Sequence, residues 1–287
     1  METADQLVLR GRLVVVGKEP DGDSVRFVPD TPGLLQQLAG AERIRLSHDG
    51  SVQLRFDAVD APELHYGQAA QPLGADARDD LLARIGFTGV TYADGGSTTV
   101  TAADPAGGVR AAILSAMAEA NGRPDSYVLI GDDEVLPADG VRLLADADLL
   151  GRTLNACLLY EGIAYYTAYT STPGAHRDQL RELAAAARQK SVGVWDQDAT
   201  CGFDLTDTSS IGPGGQLILP KLFRRCTDYL RAAAQGFAGD LAEWVIKVST
   251  DPRLNGAEAS AGPAHLTART RRRCDPTCAC ISVRRLT

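Results

Sequence analysis

The stretch Arg55-Phe-Asp-Ala-Val-Asp60-Ala-Pro-Glu63 gathers an arginine, three carboxylates and a proline into nine residues. Alternation along a strand sends Arg55, Asp57 and Val59 to one face and Phe56, Ala58 and Asp60 to the other, with the strand ending near Asp60. Two readings of the end stay open. Asp60 and Glu63 fit a helix start, with Asp as N-cap and the carboxylate three residues later closing a capping box. They also fit a pair of acidic groups presented on a loop.

Outward from this stretch the pattern is β-rich on the N-terminal side. Residues 8–16 and 24–28 read as two strands around Lys18-Glu-Pro-Asp-Gly-Asp23. Leu34, Leu35 and Leu38 place a short helical insertion over 31–40, followed by strands at 43–47 and 52–56 that meet at Asp49-Gly50. On the C-terminal side an irregular loop runs to Gly74, then a helix over 75–85. A hairpin follows at 90–92 and 98–101, then a helix over 109–120 and a strand over 126–130. Helices are expected over 148–161, 177–190 and 221–247, and a Gly-, Ser- and Asp-rich linker over 200–215. Strands followed by helices make an α+β class.

The chain has 287 residues, 44% of them hydrophobic, enough to bury a core. Its 29 Lys and Arg against 37 Asp and Glu give a net charge of −8, the wrong sign for a broad nucleic-acid-binding surface. The six arginines from Arg269 to Arg285 against Asp275 give the tail +5 and leave −13 on the rest. Phosphate recognition must therefore be local. No secretory signal or membrane span stands out, so a cytoplasmic location and no membrane partner are expected. Cys274, Cys278 and Cys280 are too few for a structural zinc and read as part of a Cys- and Arg-rich disordered tail.

Three groups could carry chemistry. Asp21-Gly22-Asp23-Ser24-Val25 is, taken alone, a hairpin turn. The second is the Arg55–Glu63 stretch. The third, Asn121-Gly122-Arg123, taken alone offers a surface arginine.

Together and in this order the three resemble the staphylococcal-nuclease-like (thermonuclease) family. Its pattern is a DGDS/T-V turn, an arginine five residues before the aspartate of V-D-A/T-P-E, and a G-R before a later strand. Gln71-Pro-Leu-Gly74, Leu154-Asn155, Gly162-Ile163-Ala164 and Gly193-Val-Trp195 extend the likeness over roughly residues 7–198. The resemblance implies a five-stranded OB-fold β-barrel with flanking helices. Here it would be enlarged by insertions over residues 1–205 and followed by a helical C-terminal extension over 206–287. It implies Ca2+ held by Asp23, Asp60 and the Ala61 carbonyl, with Asp21 behind them. Glu63 would position or deprotonate the water, and Arg55 and Arg123 would grip the phosphate. It also implies products carrying a 3′-phosphate.

Asp23 and Asp60 lie 37 positions apart, wider than the family's compact form, and Asn121 stands where that form has an aromatic. Tyr165, Tyr166 and Tyr169 are candidates for stacking a nucleobase, with core packing an equal alternative. His65, beside Tyr66, is read as a loop residue.

The chemistry agrees with the resemblance. Phosphodiester hydrolysis needs a hard cation, fixed positive charge around the phosphate and a base for the water. Calcium takes carboxylate and carbonyl oxygens in loose geometry. The expected function is a calcium-dependent phosphodiesterase on single-stranded DNA or RNA. The alternative is a non-catalytic OB-fold module binding nucleic acid or protein. Residues 216–250 either pad the barrel or offer a surface to a second copy or a protein partner.

Overall fold

The computed structural model describes residues 5–169, 172–250 and 283–284. Its central sheet runs β3 (Val52–Gln53), β2 (Arg26–Pro29), β1 (Gln6–Val14), β8 (Val109–Ala118), β9 (Pro124–Ile130), β4 (Arg55–Phe56), with β10 (Arg142–Leu143) paired to β1. The two ends of this order, β3 and β4, are separated in the chain by Leu54 alone. Leu54 N donates to Val25 O at 2.9 Å and Phe56 N to Asp23 O at 3.1 Å. A sheet whose first and last strands are covalent neighbours curls on itself, and it is nearly closed into a barrel.

Leu9, Leu13, Phe27, Leu54, Phe56, Ile113 and Tyr127 fill the core, all fully buried. Val8, Ala112, Leu114 and Val128 are buried as well, so the central strands are covered on both faces. That double burial explains the main departure from the expected elements. The Ala-rich run at 109–120, read as a helix, forms the long strand β8 over Val109–Ala118. A strand buried on both sides loses its alternation, and pairing with β1 from Leu7↔Ser115 to Leu13↔Val109 overrides the helical propensity of its residues.

Other boundaries move for local reasons. The insertion at 31–40 forms short 3-10 turns at Pro32–Gln37 and Ala41–Arg43, and residues 43–47 join no strand, although the turn at Gly50 is present. The segment expected over 148–161 divides into α2 (Ala147–Gly151) and α3 (Leu154–Tyr160), because Thr153 accepts a bond from Ala156 N and starts a new helix. The segment expected over 221–247 divides into α6 (Pro220–Ala234) and α7 (Leu241–Thr250). Gly236 at φ 98° and the bond from Phe237 N to Ala232 O close the first helix there. Helices α1 (Gly74–Ile85) and α4 (Gly174–Gln189) and the hairpin of β6 (Thr88–Tyr92) with β7 (Val100–Asp104) lie near where the pattern put them.

Helix α3 packs on β9 and α4 on α3. A two-stranded pair of β5 (Val59–Asp60) and β11 (Tyr165–Tyr166) and a short helix α5 (Val194–Gln197) complete this side. The expected linker at 200–215 is packed, not free. Phe203, Leu205 and Ile211 enter a second core with Phe223, Cys226 and Tyr229 of α6. Parallel pairing joins β12 (Phe203–Asp204) to β13 (Val283–Arg284). Cys274, Cys278, Cys280 and Arg269 to Arg273 lie outside the described residues. Among the described residues no helix is long and apolar enough to cross a membrane.

Candidate functional site

The stretch from Arg55 to Glu63 does not run as one strand. Ala58 sits at φ 63°, in the left-handed region that a residue with a Cβ rarely adopts, and turns the chain between β4 and β5. The turn is held from behind by Asn155, which is fully buried. Its Nδ2 donates to Asp57 O at 2.8 Å and Ser126 O at 3.0 Å, while its Oδ1 accepts from Val128 N at 3.0 Å. The consequence is a correction to simple alternation. Arg55 and Asp60, expected on opposite faces, both face Asp23. No helix begins at Asp60 either: it pairs with Tyr165 in β5, and the next helix starts at Gly74, so the capping-box reading falls.

Asp23 arrives from the turn between β1 and β2. Asp21 Oδ1 accepts from Gly22 N at 2.8 Å, and Asp23 Oδ2 accepts from Ala61 N at 3.4 Å. Gly22 is required by close approach: a Cβ there would lie 2.7 Å from the Ala61 Cβ and 2.9 Å from the Ala77 Cβ. Glu63 is placed by its backbone, with Gln71 N donating to Glu63 O at 2.9 Å and Glu63 N to Gln71 Oε1 at 3.1 Å. The loop from Glu63 to α1 is thus pinned at both ends.

The electrostatics follow first from burial and then from the neighbouring charges. Burial pushes the Asp23 carboxyl up to about 7, and the neighbouring Asp21 and Asp60 add to the shift against Arg55 and Arg224. Burial likewise pushes Glu63 up to about 7, with Arg224 opposing and Asp23 and Asp21 adding. Asp21 is raised, again mainly by burial. Burial opposes the charge on Arg55, yet Tyr169, Asp23 and Asp125 hold its guanidinium more firmly protonated than usual. Arg55 lies 4.1 Å from the Tyr169 ring centroid and 3.9 Å from Asp125.

Asp21, Asp23, Asp60, Glu63, Arg55 and Tyr169 therefore come together. Arg123 is held on the adjacent turn, where its Nε meets Glu119 Oε1 at 3.0 Å, two residues before the Asp125 that faces Arg55. Tyr165 is buried, edge-on to Trp195 at 5.0 Å, with its hydroxyl donating to Asp198 at 3.1 Å, so its ring is committed to packing. Tyr166 is half-buried and pairs with Val59. His65 is exposed on the loop.

One site residue was not expected. Arg224 of α6 reaches across to Asp60, with Nη1 3.2 Å from Oδ1 and Nη2 3.5 Å from Oδ2, and also donates to Glu63 Oε1. In the sequence it follows an apolar phenylalanine on an amphipathic helix and looks like a solvated residue.

The donor set suits a hard cation. It is all oxygen, and Asp23 is raised mainly by burial, with the nearby Asp21 and Asp60 adding to the shift, negative charge that a divalent ion would relieve. Among the described residues no three His, Cys, Asp or Glu side chains form a ready-made metal cage, and the expected set of two carboxylates and one carbonyl falls below that count. The chain matches no protein-family model and no curated protein.

Proposed function

We propose that the chain is a calcium-dependent phosphodiesterase acting on single-stranded DNA or RNA, built on a five-stranded OB-like barrel. The observation that carries this reading is the convergence of Asp21 and Asp23 from one turn with Asp60, Glu63 and Arg55 from another. These residues offer the carboxylates for a cation, the fixed positive charge and the base that hydrolysis of a phosphodiester needs.

Asp23, Asp60 and the Ala61 carbonyl would hold Ca2+, which when bound supplies positive charge to the phosphate oxygens. Arg55 donates to the non-bridging oxygens through a planar fork that cannot lose its proton. Its stacking on Tyr169 and its contact with Asp125 fix the direction of that fork. Glu63 accepts a proton from water as the water oxygen bonds to phosphorus. The opposite P–O bond breaks, and the departing oxygen is protonated from solvent. A carboxylate raised to about 7 is matched to that task near neutral pH. Arg123, on the turn before β9, is paired with Glu119 and would have to leave it to join the phosphate.

A second reading, a non-catalytic module that binds nucleic acid or protein, draws support from Arg224, which neutralises Asp60 and Glu63 from within the chain. Cleavage of fluorescent single-stranded DNA and RNA by the purified chain, in calcium and in chelator, separates the two. Cleavage dependent on calcium supports the enzyme. Binding without cleavage in calcium supports the module.

A further inference from the structure

Helix α6 is anchored beside the carboxylates by the second core and by a hydrogen bond to the loop after Glu63. Phe223 and Cys226, flanking it, are fully buried in the second core, which also packs on Tyr66 and Ala69 of the loop after Glu63. Tyr66 donates its hydroxyl to Asp228 at 2.9 Å, and Gln71 Nε2 donates to Ile218 O at 2.6 Å. The same Gln71 holds the Glu63 backbone, so the extension and the base are wired through one side chain. The Arg224 guanidinium stands across both oxygens of Asp60 and on one oxygen of Glu63.

Those are the lone pairs that the proposed reaction uses. A guanidinium fork on a carboxylate takes up its accepting oxygens in a charge-assisted pair. With Arg224 in place, Asp60 cannot turn both oxygens to a metal, and one oxygen of Glu63 is taken up by the guanidinium.

We propose that Arg224 is a resident cation that a divalent ion must displace from Asp60 and Glu63, making α6 a built-in gate over the site. The inference rests on the proposed cation site and adds a control to it. Binding of the ion and docking of α6 are then coupled with opposite sign, and such coupling is reciprocal. Calcium loosens α6, and loosening α6 favours calcium.

The test is calcium titration of the full chain by calorimetry, for the unaltered protein and for Arg224→Gln, with hydrogen exchange of residues 220–234 in the unaltered protein with and without calcium. The expected result is calcium binding tightened on the order of tenfold in Arg224→Gln, with faster exchange in 220–234 when calcium is bound. Equal or weaker binding by Arg224→Gln overturns the gate and leaves the cation site standing. If neither protein binds calcium at millimolar concentration, the cation site itself fails and the gate with it. Should Arg224→Gln not fold, the exchange measurement decides: unchanged protection of 220–234 in the calcium-bound chain overturns the gate.

Discussion

Arg224 and Asp60, 164 positions apart, meet fork to carboxylate at 3.2 Å, with under a fifth of either side chain exposed. A pair this enclosed is weak evidence for stability, yet removing one member strands the other charge. Arg224→Ala should lower unfolding stability by about 3 kcal/mol in chelator, read by urea denaturation. Calcium should restore a larger part of the stability in the variant than it adds to the unaltered chain.

Asp23 gives the pH dependence of the apo protein. Its folded value, about 7, lies above the ordinary carboxylate range of about 4. The folded state therefore holds a proton that the unfolded chain has lost. The stabilisation is complete below the unfolded value and disappears as pH rises through about 7. In chelator, Asp23→Asn should raise the melting temperature at pH 8 and leave it nearly unchanged at pH 4, and it should abolish the calcium response. A melting temperature that falls at pH 8 would contradict the destabilising burial of the Asp23 charge.

His176 acts in the opposite direction. It is buried, with Nε2 2.9 Å from Ala145 O and its ring edge-on to Tyr127, and burial lowers its pKa. The unfolded chain takes up the proton first, so this contribution is present above about 6.5 and declines as pH falls. In an Asp23→Asn background, His176→Gln should flatten the fall of stability between about pH 6.5 and 5, measured by thermal melts across that range.

Asn155→Ala would leave Val128 N and Asp57 O without a partner in the buried interior, while Ser126 O keeps its bond from Asp57 N. An unmet buried group costs about 1–3 kcal/mol. A loss of at least about 2 kcal/mol is expected in denaturant unfolding. Since Asn155 braces the turn at Ala58, any residual folded fraction should also bind calcium more weakly.

What the sequence made legible was local. Strands β1 and β2 and helices α1 and α4 carry their own periodicity, and the turn at Asp21-Gly22-Asp23 is marked by its composition. The strand β8 was hidden because burial on both faces erases alternation and its alanines favour a helix. The turn at Ala58 was hidden because nothing in Asp57-Ala58-Val59 asks for a left-handed residue; Asn155, nearly a hundred positions later, imposes it. Taken alone the carboxylates read as a turn and a helix cap, and only the resemblance of the combined motifs singled them out as a candidate site. Arg224 was not, since its partners are set by how the second core seats α6, a long-range packing result with no local signature.

Gly22 offers a test of how tightly the site is built. Gly22→Ala forces its new methyl group against Ala61 and Ala77. A cost of about 1–3 kcal/mol is expected from overpacking, together with weaker calcium binding, read by calorimetry, because the displaced turn carries Asp23.

Cleavage of single-stranded DNA and RNA by Glu63→Gln against the unaltered chain, both in saturating calcium, bears most directly on the proposed reaction. The substitution keeps the shape and the bond from Gln71 to the backbone, so folding should be retained. Loss of the base should lower the cleavage rate by about 10²–10⁴ with calcium binding largely intact. A variant that cleaves at the rate of the unaltered chain would contradict the assignment of Glu63 and, with it, the proposed mechanism.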